Sequence, residues 1–280
     1  MLSINFWVII KRRIILIYKT VFKGCISMDN LKNEIALRWN SLCNDYDEQY
    51  CHGLRSKEEE EQWLIFLRDI VGDECKRILD IGTGTGFLAI LLAHLGHHCT
   101  GLDISEGMLN IAKNKAQKNS LFIDFGIGDA EDLPLDDKSF DIVINRHLLW
   151  TISQPEKALR EWIRVLKPGG KLVIVDGDWF YKNKGNDIKK WMGNFLIKIS
   201  ESDDPGKHSS NYSEDVKAML PMMKDKNARN VHELVKDCGL CNIEVIPMLE
   251  VDRAEKKVMP FKYRLANPYK RSCVTGIKSM

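Results

Sequence analysis

The stretch Ile78-Leu79-Asp80-Ile81-Gly82-Thr83-Gly84-Thr85-Gly86 decides how the rest of the chain is read. A β-rich run ends in three glycines and passes directly into a helical pattern over residues 87–95, which makes the glycines a turn at a strand's end. Glycine there permits positive φ and lets a ligand approach closer than a Cβ would allow, while the following helix offers free N–H groups. The turn is expected to cradle something small and polar.

Dinucleotide enzymes use a related turn in which the third glycine falls one residue later, at the position of Phe87 here. Two further features separate the readings. Asp103 ends the next apolar strand, residues 99–102, about 20 residues beyond the first glycine, where a carboxylate can accept from both ribose hydroxyls. Gly128-Asp129-Ala130-Glu131-Asp132-Leu133-Pro134 then follows a third strand, residues 122–126, and places an acidic side chain where an adenine amino group would lie.

Together with Phe140-Asp141-Ile142-Val143-Ile144-Asn145 and Leu166-Lys167-Pro168-Gly169-Gly170-Lys171-Leu172-Val173-Ile174, this ordered set resembles the class I S-adenosylmethionine-dependent methyltransferases over residues 75–180. Within them it is similar to the broad branch that holds ubiquinone and menaquinone methyltransferases and many small-molecule enzymes. The resemblance implies an α/β fold, Rossmann-like and doubly wound. Its mostly parallel seven-stranded sheet would have an antiparallel last strand and a helical lid. It implies S-adenosyl-L-methionine as cofactor, with Gly82, Gly84 and Gly86 along the methionine moiety, Asp103 at the ribose, and Asp129 with Ala130 at the adenine. Asp80, Thr83, Thr85, Ile104, Met108, Glu131 and Asn145 join them as expected cofactor-binding residues, and Tyr46, or alternatively Tyr50, would close over the cofactor. The acceptor is not implied.

The 280 residues, 44% apolar, can bury one sizeable core. The formal charge of +2 is set by the first 23 residues, whose bases Lys11, Arg12, Arg13, Lys19 and Lys23 face no acid; without them 36 bases stand against 39 acids. A mildly acidic body does not advertise a nucleic-acid partner. Residues 253–280, with eight bases against Glu255, are the exception, read as a solvated surface before a phosphate-binding strip. The eight cysteines are scattered and suggest reduced thiols in a cytoplasm. Cys238-Gly239-Leu240-Cys241 lies where a helix gives way to a strand, a poor setting for redox or zinc chemistry. Arsenite binding would need Cys43, Cys51, Cys238 and Cys241 to converge.

Five segments are expected. Residues 1–27 form an extension outside the fold, because Lys11-Arg12-Arg13 interrupts the apolar run and leaves no span of ~20 apolar residues; a basic membrane-surface helix is the alternative. Residues 28–72 give helices covering the cofactor, with Asp29 as the first N-cap and a capping box at Ser56 and Glu59; the run 58–61 is then a solvated first turn. Residues 73–181 form the cofactor-binding core, and 182–228, punctuated by Gly and Pro, an inserted lid over the substrate. Residues 229–280 complete the sheet with a helix at 231–238 and strands at 243–246 and 261–266.

Open α/β sheets bind ligands at the C-terminal ends of their strands. His147, directly after the fourth strand, is the candidate general base, against a structural histidine that orients its loop. Arg146, Trp150, Asp178 and Trp179 are candidate substrate-binding residues, Arg146 pairing alternatively with Asp176 or Asp178. His94, His97 and His98 read as surface or capping residues, and no metal site is expected. The expected activity is methyl transfer to a small molecule, without nucleic acid or stable membrane insertion. An RNA methyltransferase using the basic C-terminus and a non-catalytic cofactor-binding regulator are the alternatives.

Overall fold

A computed structural model of the chain describes residues 27–177, 184–201, 212–224 and 231–280. The expectations for residues 1–26, Asp178 and Trp179 lie outside them. Helix α1, Met28–Leu42, runs into a 3₁₀ segment, Cys43–Glu48, and α2, Lys57–Val71, follows. The alternating part then comprises β1 Arg77–Ile81, α3 Phe87–His94, β2 His98–Asp103, α4 Glu106–Lys118, β3 Ile123–Ile127, β4 Phe140–Arg146, α5 Pro155–Val165 and β5 Leu166–Gly177. Beyond it come α6 Lys184–Glu201, α7 Glu214–Met219, α8 Pro221–Lys224, α9 Val231–Lys236, β6 Cys241–Pro247, α10 Leu249–Val258, α11 Phe261–Ala266 and β7 Arg271–Ile277.

The strands form a seven-stranded sheet in the order β3-β2-β1-β4-β5-β7-β6. Pairing is parallel from β3 to β5, and β7 runs antiparallel to both β5 and β6. Successive side chains of a strand point to opposite faces, so a sheet covered on both sides needs apolar residues at every position. Ile78, Ile142, Ile144 and Val173 pack under α2, α3 and α10 around Trp63, while Leu79, Val143, Leu172 and Ile174 pack under α5 around Trp162. The order of the parallel strands reverses between β1 and β4, and the C-terminal ends there open a crevice.

Several local expectations need correction. Ser27, not Asp29, caps α1, its hydroxyl accepting from the Asn30 N–H. Ser56 does accept from the Glu59 N–H at 3.1 Å, but Glu59 reaches back to the Arg55 N–H at 2.9 Å and is buried where α10 packs against α2; of the run 58–61, Glu58 and Glu61 are exposed as expected and Glu59 is not. His97 is likewise buried. Residues 261–266 are helix α11 instead of a strand. That short helix seats on α6 where Gly193 lets the Ala266 and Lys262 backbones approach; a Cβ on Gly193 would lie 2.2 Å from the Ala266 nitrogen. The last strand is Arg271–Ile277.

Nor do the C-terminal bases form a strip. Arg271 is buried, its Nε donating to Asp252 at 2.9 Å and its guanidinium pairing with Glu255, both on α10. Lys278 donates to the carbonyls of Ile163 and Leu166 at the end of α5, and Lys257 pairs with Glu58 at 2.6 Å.

Candidate functional site

Between β1 and α3 the glycine turn is stiffened from beneath. Asp80 is buried and its Oδ2 accepts from the Thr83 hydroxyl at 2.6 Å and the Ala89 N–H at 3.1 Å. Burial pushes this carboxyl up to about 7 despite those bonds. Gly84 has φ +55° and nothing within 4 Å of where a Cβ would stand, so its backbone faces open space. Gly86, φ +82°, is needed for another reason: a Cβ there would press on Ala112, Ile90 and Phe125 at 3.1–3.3 Å. Thr85 turns away and donates to Asp47 at 2.6 Å, and Lys115 holds the other oxygen of Asp47 at 2.8 Å. This pair ties the 3₁₀ segment to the turn and brings Tyr46 over the crevice.

The crevice is open to solvent, and the empty space within it and its mouth together is about 750 Å³. At one end Asp103 accepts from the Gly84 and Ser105 N–H groups, each at 2.8 Å. Burial raises its carboxyl to about 6 against these bonds and one from the Ile104 N–H. Ile104 and Met108 continue this wall. At the other end lie Asp129, Ala130 and Glu131. Glu131 is clamped by the Ser153 hydroxyl at 2.7 Å and by the Ser153 and Gln154 N–H groups at 2.8 and 3.1 Å. Burial would raise it, yet these bonds and Lys32 hold it below the usual carboxylate range. Lys32, from α1, pairs with Asp129 and lies 3.2 Å from Glu131.

The remaining wall is apolar, made of Ile35 and Trp39 of α1, Tyr46, Leu148 and Ile152, with Arg146 and His147 behind. Trp39 and Tyr46 meet edge to face at 5.8 Å. His147 has φ +57° and is buried; burial, and secondly the charge of Arg146, hold its imidazole well below the usual histidine range. Arg146 donates to the His52 carbonyl at 2.7 Å and lies 3.6 Å over the ring of Phe87. Its guanidinium is thus engaged there, not with the carboxylate of Asp176 that the sequence suggested. His52 sits 4.4 Å from the Tyr46 ring and 5.9 Å from that of His147, and burial lowers it to about 3.

Residues 79–174 match the family described as methyltransferase domain. This segment is a methyltransferase domain. Over 151 residues the chain is 36% identical to the demethylmenaquinone methyltransferase of Renibacterium salmoninarum, covering 54% of this chain and 61% of that protein. Over 111 residues it is 38% identical to the ubiquinone biosynthesis O-methyltransferase of Coxiella burnetii, covering 40% of this chain and 47% of the relative. The chain therefore spans about half to three-fifths of these curated relatives' length. Among solved structures, it is similar to Haemonchus contortus phosphoethanolamine N-methyltransferase 2 in complex with S-adenosyl-L-methionine (20% identity, 92% of this chain and 61% of that chain, TM-score 0.54). An S-adenosylmethionine-dependent methyltransferase from Thermotoga maritima also matches (20%, 87% and 99%, TM-score 0.50). At such identities these two establish the Rossmann-like fold.

The methyltransferase domain supplies the floor of the crevice and segments outside it supply the roof. Of the expected residues, Gly82, Gly84, Asp103, Ile104, Met108, Asp129, Ala130, Glu131, Arg146, His147 and Tyr46 are brought together on its wall. Asp80, Thr83, Thr85 and Gly86 lie behind the turn they shape. Asn145 is fully buried off that wall, and its side-chain amide has no hydrogen-bond partner among the described residues. Trp150 packs at 5.9 Å on Trp39 and 6.1 Å on Tyr212, in the small cluster where α7 meets α1. Tyr50 instead packs on Tyr263.

The sequence reading missed Lys32, Ile35 and Trp39, which share one face of α1 at helical spacing, a signal available but masked by the adjoining core stripe of Leu31, Ile35 and Leu42. His52 carried no local signal. Among the described residues no three of His, Cys, Asp and Glu converge as metal ligands, and none of the helices is long and apolar enough to cross a membrane. Cys238 is half-buried and Cys241 donates its thiol to the Ile277 carbonyl.

Proposed function

We propose that the chain is an S-adenosylmethionine-dependent methyltransferase acting on a small, flat, quinone-type aromatic acceptor. The observation that carries this reading is the crevice onto which Gly84, Asp103 and Asp129 converge at the strand ends of a methyltransferase domain. The donor set fits the cofactor: an open glycine backbone, a carboxylate for vicinal hydroxyls and an acidic end for an amino group. The names of the relatives and the aromatic, apolar wall support the acceptor class.

When bound, S-adenosylmethionine supplies an electrophilic methyl group on a cationic sulfur. The chain's part is to bind, orient and exclude water. Asp103, ionised above about 6, accepts from the ribose hydroxyls, and Asp129 receives the adenine end, on a loop that Glu131 fixes. Trp39, Tyr46, Leu148 and Ile152 hold the acceptor ring in a dry environment. His147 is neutral at physiological pH and takes the proton that a phenolic acceptor loses as its oxygen or ring carbon gains the methyl group. An imidazole so depressed is a weak base, which suits an acidic phenol and disfavours an aliphatic alcohol. Of the expected lid, the described residues 212–224 cover α1, where Tyr212, Val216 and Leu220 pack on Leu31 and Ile35.

Calorimetry with S-adenosylhomocysteine, followed by transfer of labelled methyl groups to catechols and quinols, tests the proposal. Absence of S-adenosylhomocysteine binding would sink it. His147→Gln should lower turnover by ~10²-fold while cofactor affinity stays within a few-fold of the parent. A fall in affinity with unchanged turnover would make His147 a residue that only shapes its loop.

A further inference from the structure

Helix α6 presents two opposite faces. Gly193 and Ile197 are buried against the body, Gly193 in contact with the backbone of α11. At about 100° per residue, Ile188, Trp191, Met192, Phe195, Leu196 and Ile199 fall on the far side. Each of the six is between 38% and 68% exposed. Trp191 and Phe195 lie flat on one another, ring centroids 5.7 Å apart and planes 9° from parallel. Isolated apolar residues on a surface are ordinary, but six on one stripe of one helix form a continuous patch of the kind that marks an interaction surface.

Charge decides the occupant. By the same helical geometry Lys198 borders one edge of the stripe and Lys189 the other, and both are exposed. Asp187 falls behind the edge that carries Lys198. Lys190 turns back to the body, where its Nζ lies 5.3 Å over the Tyr269 ring. An apolar stripe rich in Trp, Phe and Ile with lysines along both margins is the pattern of a helix lying in a membrane interface, its apolar side in the acyl boundary and its lysines among anionic headgroups. A second copy of the chain fits less well. A two-fold contact would set α6 against α6 and bring lysine margins together across a self-complementary interface. Eighteen residues at 1.5 Å each give a helix of about 27 Å, enough to lie along a surface.

We infer that α6 docks the protein on an anionic lipid surface through Ile188, Trp191, Met192, Phe195, Leu196 and Ile199, with Lys189 and Lys198 pairing with headgroup phosphates. The helix follows the C-terminal end of β5, the end of the sheet at which the crevice opens, so docking supplies a route for an acceptor dissolved in lipid. The docking itself is independent of the methyltransferase reading, since it is measured without cofactor or acceptor.

Sedimentation of the full chain with phosphatidylcholine vesicles containing or lacking phosphatidylglycerol tests the inference. Binding to the anionic vesicles is expected, weakened by salt. The double substitution Trp191→Ser with Phe195→Ser should reduce it by roughly tenfold or more. Both residues are exposed, so the melting temperature and S-adenosylhomocysteine binding of that variant should match the parent. No binding of the parent chain to anionic vesicles would overturn the proposal. So would a double variant that binds as the parent does, since the contact would then lie elsewhere in the chain. A solution dimer that the same double variant disperses, with no vesicle binding, would assign the face to a second copy instead.

Discussion

Asp103 and Glu131 stand at two ends of one crevice, both buried, with their carboxyls displaced in opposite directions. Around Asp103 the partners are backbone N–H groups, those of Gly84, Ser105 and Ile104, and burial wins, raising the carboxyl to about 6. Around Glu131 burial loses to the Ser153 hydroxyl, two backbone N–H groups and Lys32. Among the described residues Asp103 thus has neither a cation nor a hydroxyl as partner, whereas Glu131 has both and is a structural joint that fixes the loop after β4. A buried carboxylate in a ligand crevice is therefore not by itself a ligand-binding group. How completely its lone pairs are used separates the two kinds.

The largest expected effect falls on the joint. Glu131→Ala leaves the Ser153 and Gln154 donors and Lys32 without their acceptor and should cost about 2–4 kcal/mol of stability. Differential scanning calorimetry would show this as a melting temperature lowered by roughly 5–10 °C; an unchanged melt would erase the distinction between the two ends. Asp103→Ala should do the reverse. Its fold should melt near the parent temperature, because a desolvated carboxyl has been removed, while affinity for S-adenosylhomocysteine falls by about 1.5–3 kcal/mol through loss of a charge-assisted acceptor. Equal affinity would mean that Asp103 is not the ribose acceptor.

Acidification separates the ends without mutation. Because folding raises the Asp103 carboxyl, its contribution to the stability of the ligand-free protein is fully present below the ordinary carboxylate range and is lost as pH rises through about 6. Cofactor binding needs the ionised form, so affinity should be flat above about 6 and fall by up to tenfold per pH unit below it. Glu131 has the opposite sign: its stability contribution is present above the ordinary range and lost as pH falls through its depressed value. Titration calorimetry across that interval would show binding weaken before the fold does; a pH-independent affinity would contradict the assignment of Asp103. The smallest effect concerns Lys32→Met. Freeing Asp129 from its ammonium partner should tighten S-adenosylhomocysteine binding by roughly two- to fivefold, and weaker binding would instead give Lys32 a role in holding α1 over the cofactor.

Legibility followed the range of the interactions. The glycine turn, Asp103 and the Asp129–Glu131 run are local signals, each at a strand's end, and these residues were readable from spacing alone. Lys32 reaches Asp129 across 97 positions of sequence, so its place on one face of α1 with Ile35 and Trp39 did not reveal its partner, and His52, which reaches the ring of His147 across a comparable gap, left no local trace. In the last third, Phe-Lys-Tyr-Arg-Leu-Ala alternates as a strand would, yet residues 261–266 are helical because six residues are too few for periodicity to outvote packing on α6. The true β7 begins with Arg271, one of the bases of 253–280 expected on a solvated surface, whose burial depends on Asp252 and Glu255 of α10.

The place of β7 bears on how the chain is made. It comes after every other strand in the sequence and yet lies inside the sheet, between β5 and β6. Until residues 271–277 have left the ribosome, β5 shows an open edge, β6 has no neighbour, and Asp252 and Glu255 lack the cation that neutralises them. The methyltransferase half can assemble during synthesis, but the far half must wait, holding a sticky apolar strand exposed in the meantime. Variants that slow delivery of β7 would then appear as aggregation in expressing cells before any loss is visible in the purified, folded protein.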